Sequence, residues 1–435
     1  MVRTITVTGA VFLFLAVCSL SGENSALAEE KNFTIQQAVE FSQHNNGELK
    51  ALREEKGIRE AGKIKAGLYP NPVLDLDETT GEISGSPSEN RISIGISQEF
   101  LTMGKRGKRL QVADKEIESF GRQIDNSGRL LVEDVKTTFY DILLAGKRVE
   151  LAERSIALNN QLLEVTKQRL EAGDIPELEV NLARVEVARS EGRKVEAERE
   201  IYPAKARLLA LMGLSSDVAA SFSGSLEGKP FAKTLGELKS LALAKRPDIR
   251  ALEAEKAKSD AEIALAQAER IPNITAGLGY QRENTAIDVA GSEAKDRDNL
   301  IALKLSIPIP LFDRNQAGIR EAQARKGSAE NRYAFARLTA ERQVEAAYAR
   351  LTTAEKTLAI YAKNIIPQLE ENLKMVQEAY RLGEVGILAV IEEQKKFFEV
   401  NDSYLTALYN RQTALAKLEA AVGTDLSLEI AGGEK

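Results

Sequence analysis

Tryptophan is absent from this chain of 435 residues, and aromatic residues make up only 5% of it. That argues against a large compact core built on aromatic side chains. The single cysteine, Cys18, excludes an internal disulfide and any zinc site made of several cysteines. The single histidine, His44, has no second histidine or cysteine to form a ligand set and reads as a helix-surface residue. No basic block stands out against a formal charge of −6, so nucleic acid is not an expected partner. No glycine-rich phosphate loop with its lysine and no nucleophile–base set is present. An enzyme is therefore not expected, nor a bound cofactor. After residue 30 there is no apolar run of ~18 residues, which excludes a spanning helix and leaves open a β-barrel, whose strands signal weakly.

The abundant residues are alanine, leucine, glutamate, lysine and arginine, the composition of long helices. They are arranged twice over. ELKALREEK (Glu48–Lys56) matches DIRALEAEK (Asp248–Lys256), and Pro72 falls on Pro272, an offset of 200 in each case (248 − 48, 272 − 72). QRLEAGDIP (Gln168–Pro176) answers EAYRLGEVG (Glu378–Gly386), and LLALMG (Leu208–Gly213) answers LEAAVG (Leu418–Gly423), both at an offset of 210 (383 − 173, 423 − 213). A period this long is a duplicated half-molecule, not a solenoid repeat of a few tens of residues. The chain divides into residues 1–28, a first repeat over 29–213, a connector over 214–233, a second repeat over 234–423 and a tail over 424–435.

Residues 1–28 read as a secretory signal: Arg3, the apolar stretch AVFLFLAV (Ala10–Val17), and ALA (Ala26–Ala28) as the cleavage site. LAVC (Leu15–Cys18) offers a rival, lipidation at Cys18, which its valine fits poorly.

Each repeat opens with two helices. Thr34 can cap IQQAVEFSQHN, and a second helix runs from about Glu48 to YPNP (Tyr69–Pro72), where proline stops it. The second repeat has a helix over Thr234–Lys245 and another ending before Pro272. Two strands follow in each repeat, over about 73–80 and 91–99, then 273–282 and 300–308. Ile92, Ile94 and Ile96 alternate with Ser93 and Gly95, and Leu278 and Tyr280 with Gly277 and Gly279, giving one apolar and one wet face. The connections Thr79–Asn90 and Glu283–Asn299 are polar and read as exposed, mobile hairpin loops.

Long helical hairpins complete the repeats, over about 105–213 and 315–423. Between Lys105 and Ala172 there is no proline, and about 68 residues at ~1.5 Å each make a helix of about 100 Å. Glycine tips, Gly173 and Gly383, turn the chain; Pro203 lies in the first return helix, and Pro367 predicts a kink. Four short strands cannot span a membrane with open edges, and single-chain barrels start at about eight strands. Four strands from each of three copies make twelve. Helices of this length also need neighbours along them, which other copies supply.

With these features the chain resembles TolC-type outer-membrane efflux channels over essentially its whole mature length. The resemblance rests on the duplicated plan and on YPNPVL (Tyr69–Leu74), the ISQEF to GKRGKR stretch (Ile96–Arg109), LSIPIPLFD (Leu305–Asp313) and YRLGEVGILAVIEEQ (Tyr380–Gln394), in that order. GKRGKR looks most like the CzcC-type branch, which serves heavy-metal efflux. The resemblance implies a mainly α fold with a small β part. It implies a homotrimer with a twelve-stranded barrel in the outer membrane of a Gram-negative bacterium and a helical tunnel in the periplasm. It implies a passive conduit joined through a periplasmic adaptor protein to an inner-membrane pump, of RND type in this branch.

The resemblance also assigns places. The tips, Gly173, Asp174, Ile175 and Pro176 with Gly383, Glu384, Val385 and Gly386, lie where the family meets its adaptor. An acidic pair lines the family's closed periplasmic entrance; its positions here are Ala389 and Glu392, so one acid is kept, and Glu179 is a substitute from the first half. Either these glutamates solvate helix faces, or threefold symmetry makes them a carboxylate ring that favours cations. Tyr280, Phe100 and Phe312 fit an interfacial aromatic girdle or else pack in the helix–strand junction. Lys105, Arg106, Lys108 and Arg109 follow Phe100 closely, where the chain enters the periplasm, or else form a solvated helix start. A periplasmic coiled-coil adaptor or scaffold is the rival reading; strand pairs before each hairpin do not fit it. The cargo, metal ions or drugs, is not legible: Met103, Met212 and Met375 are scattered and mark no metal-selective site.

Overall fold

The computed structural model describes residues 31–83 and 88–426. The signal segment, with Cys18 and the Ala28 cleavage site, and tail residues 427–435 lie outside the described residues.

The chain opens with β1 (Lys31–Phe33), α1 (Ile35–Asn45) and α2 (Gly47–Gly67). Thr34 accepts from the Gln37 amide while the Gln37 side chain returns to the Thr34 amide. In the second repeat, Thr234 and Glu237 form the same capping box at the head of α5 (Leu235–Lys245). Each box satisfies two amides that a helix start leaves without partners. α6 (Pro247–Glu269) follows, with its proline in the first turn, where the missing N–H costs nothing.

One antiparallel sheet holds β2 (Val73–Thr80), β3 (Asn90–Phe100), β5 (Ile274–Val289) and β6 (Ser292–Ser306), in the order β2-β3-β5-β6. The sequence reading of Glu283–Asn299 as a loop is corrected here. The ladder continues to Val289↔Ser292, and the chain reverses at Ala290 and Gly291, both at positive φ. Two residues at positive φ match the right-handed twist of a tight hairpin. A second, parallel pair joins β1 to β4 (Ala220–Phe222), so the connector carries a strand that sequence reading missed.

α3 (Lys105–Glu171) has 67 residues, about 100 Å at ~1.5 Å per residue. Its return helix is α4 (Glu177–Leu211), with Pro203 inside it. The second hairpin descends through α7 (Gln316–Ile360) and α8 (Ile366–Arg381) and returns through α9 (Ile387–Val422). The kink expected at Pro367 takes the form of a π-helical turn, Tyr361–Ile365, between α7 and α8. A proline removes one ladder donor and crowds the preceding turn, and a wider turn there accommodates both effects.

These elements form a wall one layer thick. Near the sheet the neighbours run α2–α3–α6–α7; toward the tips they run α4–α3–α9–α8. Small cores brace its middle. Phe33, Phe139, Leu208 and Met212 pack on one side, and Leu238, Leu351, Leu418 and Val422 on the other. Leu208 and Leu418 are repeat partners at the offset of 210, both fully buried. The connector is tied down by α9: Gln412 donates to the carbonyls of Leu226 (2.8 Å) and Glu227 (3.0 Å), and Arg411 to that of Lys229.

Candidate functional site

The hairpin tips are built alike. At the first, the Gly173 amide donates to Leu170 (2.9 Å) and the Asp174 amide to Arg169 (2.9 Å). At the second, Gly383 donates to Tyr380 (3.1 Å) and Glu384 to Ala379 (2.9 Å). This is the Schellman closure, which needs a left-handed residue; Gly173 has φ +82° and Gly383 φ +80°. Pro176 and Gly386 then head the return helices in extended conformation. Ile175 is buried and Val385 half-buried; Asp174, Pro176, Glu384 and Gly386 are exposed. Leu178 and Leu388, partners at the same offset, are 66% and 61% exposed.

The tips differ in what joins them. Glu179 and Ala389 occupy equivalent positions, their amides donating to Pro176 (3.0 Å) and Gly386 (3.1 Å). The acid absent at 389 is therefore present on the other hairpin. Its carboxylate accepts from the Tyr380 hydroxyl at 3.0 Å. Arg169 donates to the Tyr380 carbonyl (2.9 Å) and lies 4.9 Å over its ring. Tyr380 is 2% exposed and packs with Leu162, Ala183, Ile387 and Val390. Burial, then the carboxylate beside it, pushes the phenol up to about 12.

Glu392 is exposed, and no bond to Glu179 joins the two among the described residues. Glu393 is half-buried and pairs with Lys396 at 3.5 Å. Sequence reasoning quoted Tyr380 and Arg169 within the matched tips but missed their part in linking them. A signal was available: the repeat partner of Tyr380 is Leu170, an aromatic residue with a polar end set against an aliphatic one.

At the other end the sheet has two chemistries. One face carries the rows Leu74–Ile96–Leu278–Leu303 and Leu76–Ile94–Tyr280–Ile301. The opposite face carries Asp75–Gly95–Gly279–Ala302 and Asp77–Ser93–Gln281–Leu300. The apolar rows are exposed. Tyr280 stands in the apolar row, 46% exposed, and its hydroxyl donates to Asn299 at 2.5 Å. Phe100, the last residue of β3, and Phe312, beyond β6, are exposed, not packed in the junction.

The first two residues of the basic segment after β3 are not a solvated helix start. Lys105 is 4% exposed and donates to the Ile271 carbonyl (2.6 Å) and the Asn273 side chain (2.5 Å). Arg106 donates to the Gly67 carbonyl (2.6 Å) and lies 4.7 Å over the Tyr69 ring. Each cation meets the C-terminal end of an opening helix, α6 or α2, where free carbonyls and the helix dipole favour positive charge.

Among the described residues no group of three or more His, Cys, Asp or Glu could hold a metal ion, and His44 is exposed. No described helix is long and apolar enough to cross a membrane.

Comparison with known proteins agrees with this geometry. The chain is 24% identical to the cobalt-zinc-cadmium resistance protein CzcC of Cupriavidus metallidurans over 392 residues, 90% of each chain. It is 28% identical to the nickel-cobalt-cadmium resistance protein NccC of Alcaligenes xylosoxydans xylosoxydans over 308 residues, 69% of this chain and 66% of that one. Among solved structures, CusC superposes with a TM-score of 0.72 at 18% identity, covering 93% of this chain and 96% of that one. The outer-membrane channel OprN superposes with a TM-score of 0.70 at 18% identity, covering 89% of each. The outer membrane efflux protein family matches residues 53–214 and 238–424, and the chain belongs to that family: it is an outer-membrane efflux protein.

Proposed function

We propose that three copies of this chain close into one passive conduit from periplasm to exterior, the outer-membrane part of a tripartite pump for heavy-metal cations. The observation that carries this is that, among the described residues, the wall has a free edge on both sides at every level: β2 and β6 in the sheet, α2 and α7 beside it, α4 and α8 toward the tips. Strand edges with unpaired backbone groups are not tolerated in lipid, so β6 of one copy pairs with β2 of the next. Four strands from each copy then make a barrel of twelve, with the apolar rows toward lipid and the Asp75 and Asp77 rows toward the channel.

The cargo class follows from the relatives, CzcC and NccC, whose names state resistance to cobalt, zinc, nickel and cadmium. The exposed tips, Gly173–Pro176 and Gly383–Gly386, meet a periplasmic adaptor, which links the conduit to an inner-membrane pump. Glu392 and Glu179 stand at the periplasmic entrance, Glu179 held by Tyr380. The exposed apolar faces of the sheet disfavour a soluble periplasmic scaffold.

The test is mass and shape of the protein extracted from outer membranes, with the metal sensitivity of a deletion strain. A trimeric rod, and a strain sensitised to cobalt, zinc or cadmium, support the reading. A soluble monomer or dimer overturns the conduit, and sensitivity to drugs but not to metals overturns the cargo.

A further inference from the structure

Among the described residues, the outer face of α4 is a coiled-coil seam without a partner in its own chain. Positions 178, 181, 185, 188, 192, 195, 199 and 202 alternate steps of four and three, the spacing that keeps one stripe facing a neighbouring helix. All eight are exposed. Apolar or small residues fill most of them, namely Leu178, Val185, Ala188, Gly192, Val195 and Tyr202. Val195 and Tyr202 are 66% and 72% exposed, and the packing of α4 is almost wholly against α3, on its other side.

At the opposite edge of the wall, between α7 and α9, lies a groove of about 740 Å³. Long side chains, Arg350, Tyr361 and Lys417, are part of its lining, but Ala349, Thr353, Ala354, Thr357, Thr406 and Ala407 are short and leave room for an aromatic ring. Arg148 on α3 sets the height of both edges. Its guanidinium donates to Glu200 on α4 (3.0 Å), to Asp402 on α9 (2.9 Å) and to Thr406 on α9 (3.4 Å). Asp402 and Thr406 line the groove, and Tyr202 stands two residues from Glu200. Rotation about an axis along the helices, which closes a ring, leaves every residue at its own height. Tyr202 of one copy therefore arrives level with the groove of the next. Charge of both signs lies on each side: the groove includes Arg350, Lys417 and Asp402, and α4 before Tyr202 carries Glu196 and Glu198 with Arg199 on the seam itself, so the level of the ring, not net charge, carries the match.

We propose that Tyr202 seats in the Ala354–Thr406 groove of the adjacent copy and, with Val185 and Val195, sets the register in which α4 of one copy packs along α7 and α8 of the next. This rests on the trimeric reading above and adds its contact and register. A ring buried in a neighbour's groove is the kind of anchor that carries much of an interface's energy.

The experiment pairs Tyr202→Cys with Ala354→Cys in the full chain, purified in detergent from outer membranes and treated with a short thiol cross-linker. Light scattering reports the mass of the same samples. Covalent dimers and trimers are expected from this pair, and not from either single variant or from Tyr202→Cys with Met375→Cys, which lies far down α8. A particle of trimeric mass without that product overturns the seating and leaves the trimer standing. A particle of single-chain mass overturns both. Two further variants need no cysteine. Tyr202→Asp is expected to lower the temperature at which trimers fall apart, while Tyr202→Phe does not; equal behaviour of the two also overturns the seating.

Discussion

The Tyr380 hydroxyl donates to the Glu179 carboxylate at 3.0 Å, across the two hairpins of one chain, and this bond closes the tips on one another. Tyr380→Phe keeps the ring under Arg169 and removes only the donor. The loss is expected to cost about 1–2 kcal/mol, a hydrogen bond to a charged acceptor discounted because Glu179 is half-exposed. In planar bilayers the variant should show a larger leak conductance than the parent protein. Unchanged conductance with an unchanged melting temperature would remove Tyr380 from the gate.

The same bond predicts an alkaline limit. The Tyr380 phenol is raised to about 12 from an ordinary value near 10. Its folded form therefore holds the proton over a range in which the unfolded form has lost it. The stability from this group is complete below about pH 10 and falls as pH rises toward 12. Stability in detergent, followed from pH 9 to 12, should fall less steeply for Tyr380→Phe than for the parent. Tyr409, raised to about 12 by burial and by Asp141, remains in both proteins and is a common background.

Much of this was legible in the sequence because period and repetition act locally. The capping threonines, the glycine tips and the length of α3 follow from spacing that neighbouring residues enforce. What escaped depended on distant partners. β1 and β4 are three residues each and pair across 189 positions (Lys31 with Ala220), too short for a period to be seen. The outer halves of β5 and β6 are polar, as in SEAKDRD, because strands that leave the apolar zone keep their ladder without needing an apolar face. Lys105 and Arg106 looked like surface charges, since nothing near them in sequence announces the carbonyls of Ile271 and Gly67. Glu179 was found by counting from Gly173, but its bond to Tyr380 lay across 201 positions.

An ion cluster, buried at Lys136 and Glu419, ties the middle of α3 to the C-terminal end of α9 and the residues after it. Lys136 on α3 meets Glu419 at 2.7 Å and Asp425 at 3.0 Å, and Glu419 also accepts from the Leu426 amide. Burial alone would lower the lysine, but the two carboxylates hold it above its ordinary value. Lys136→Met leaves Glu419 buried without its cation and is expected to cost about 3–5 kcal/mol. Adding Glu419→Leu should return part of that loss. Thermal unfolding of both variants checks this, and a double variant no better than the single would deny the coupling.

Exposed Glu392 gives the sharpest test of the entrance. If three copies bring it to a constriction, its carboxylates favour cations and bind divalent ions there. Glu392→Ala should raise leak conductance or abolish block by divalent cations added from the periplasmic side. Glu393→Ala is the matched control, because that carboxylate is engaged with Lys396 and lies ~100° around the helix. A change in Glu392→Ala alone places the ring at Glu392. Equal effects would make it a property of the general charge of α9, and no effect in either would remove the carboxylates of this turn from the gate.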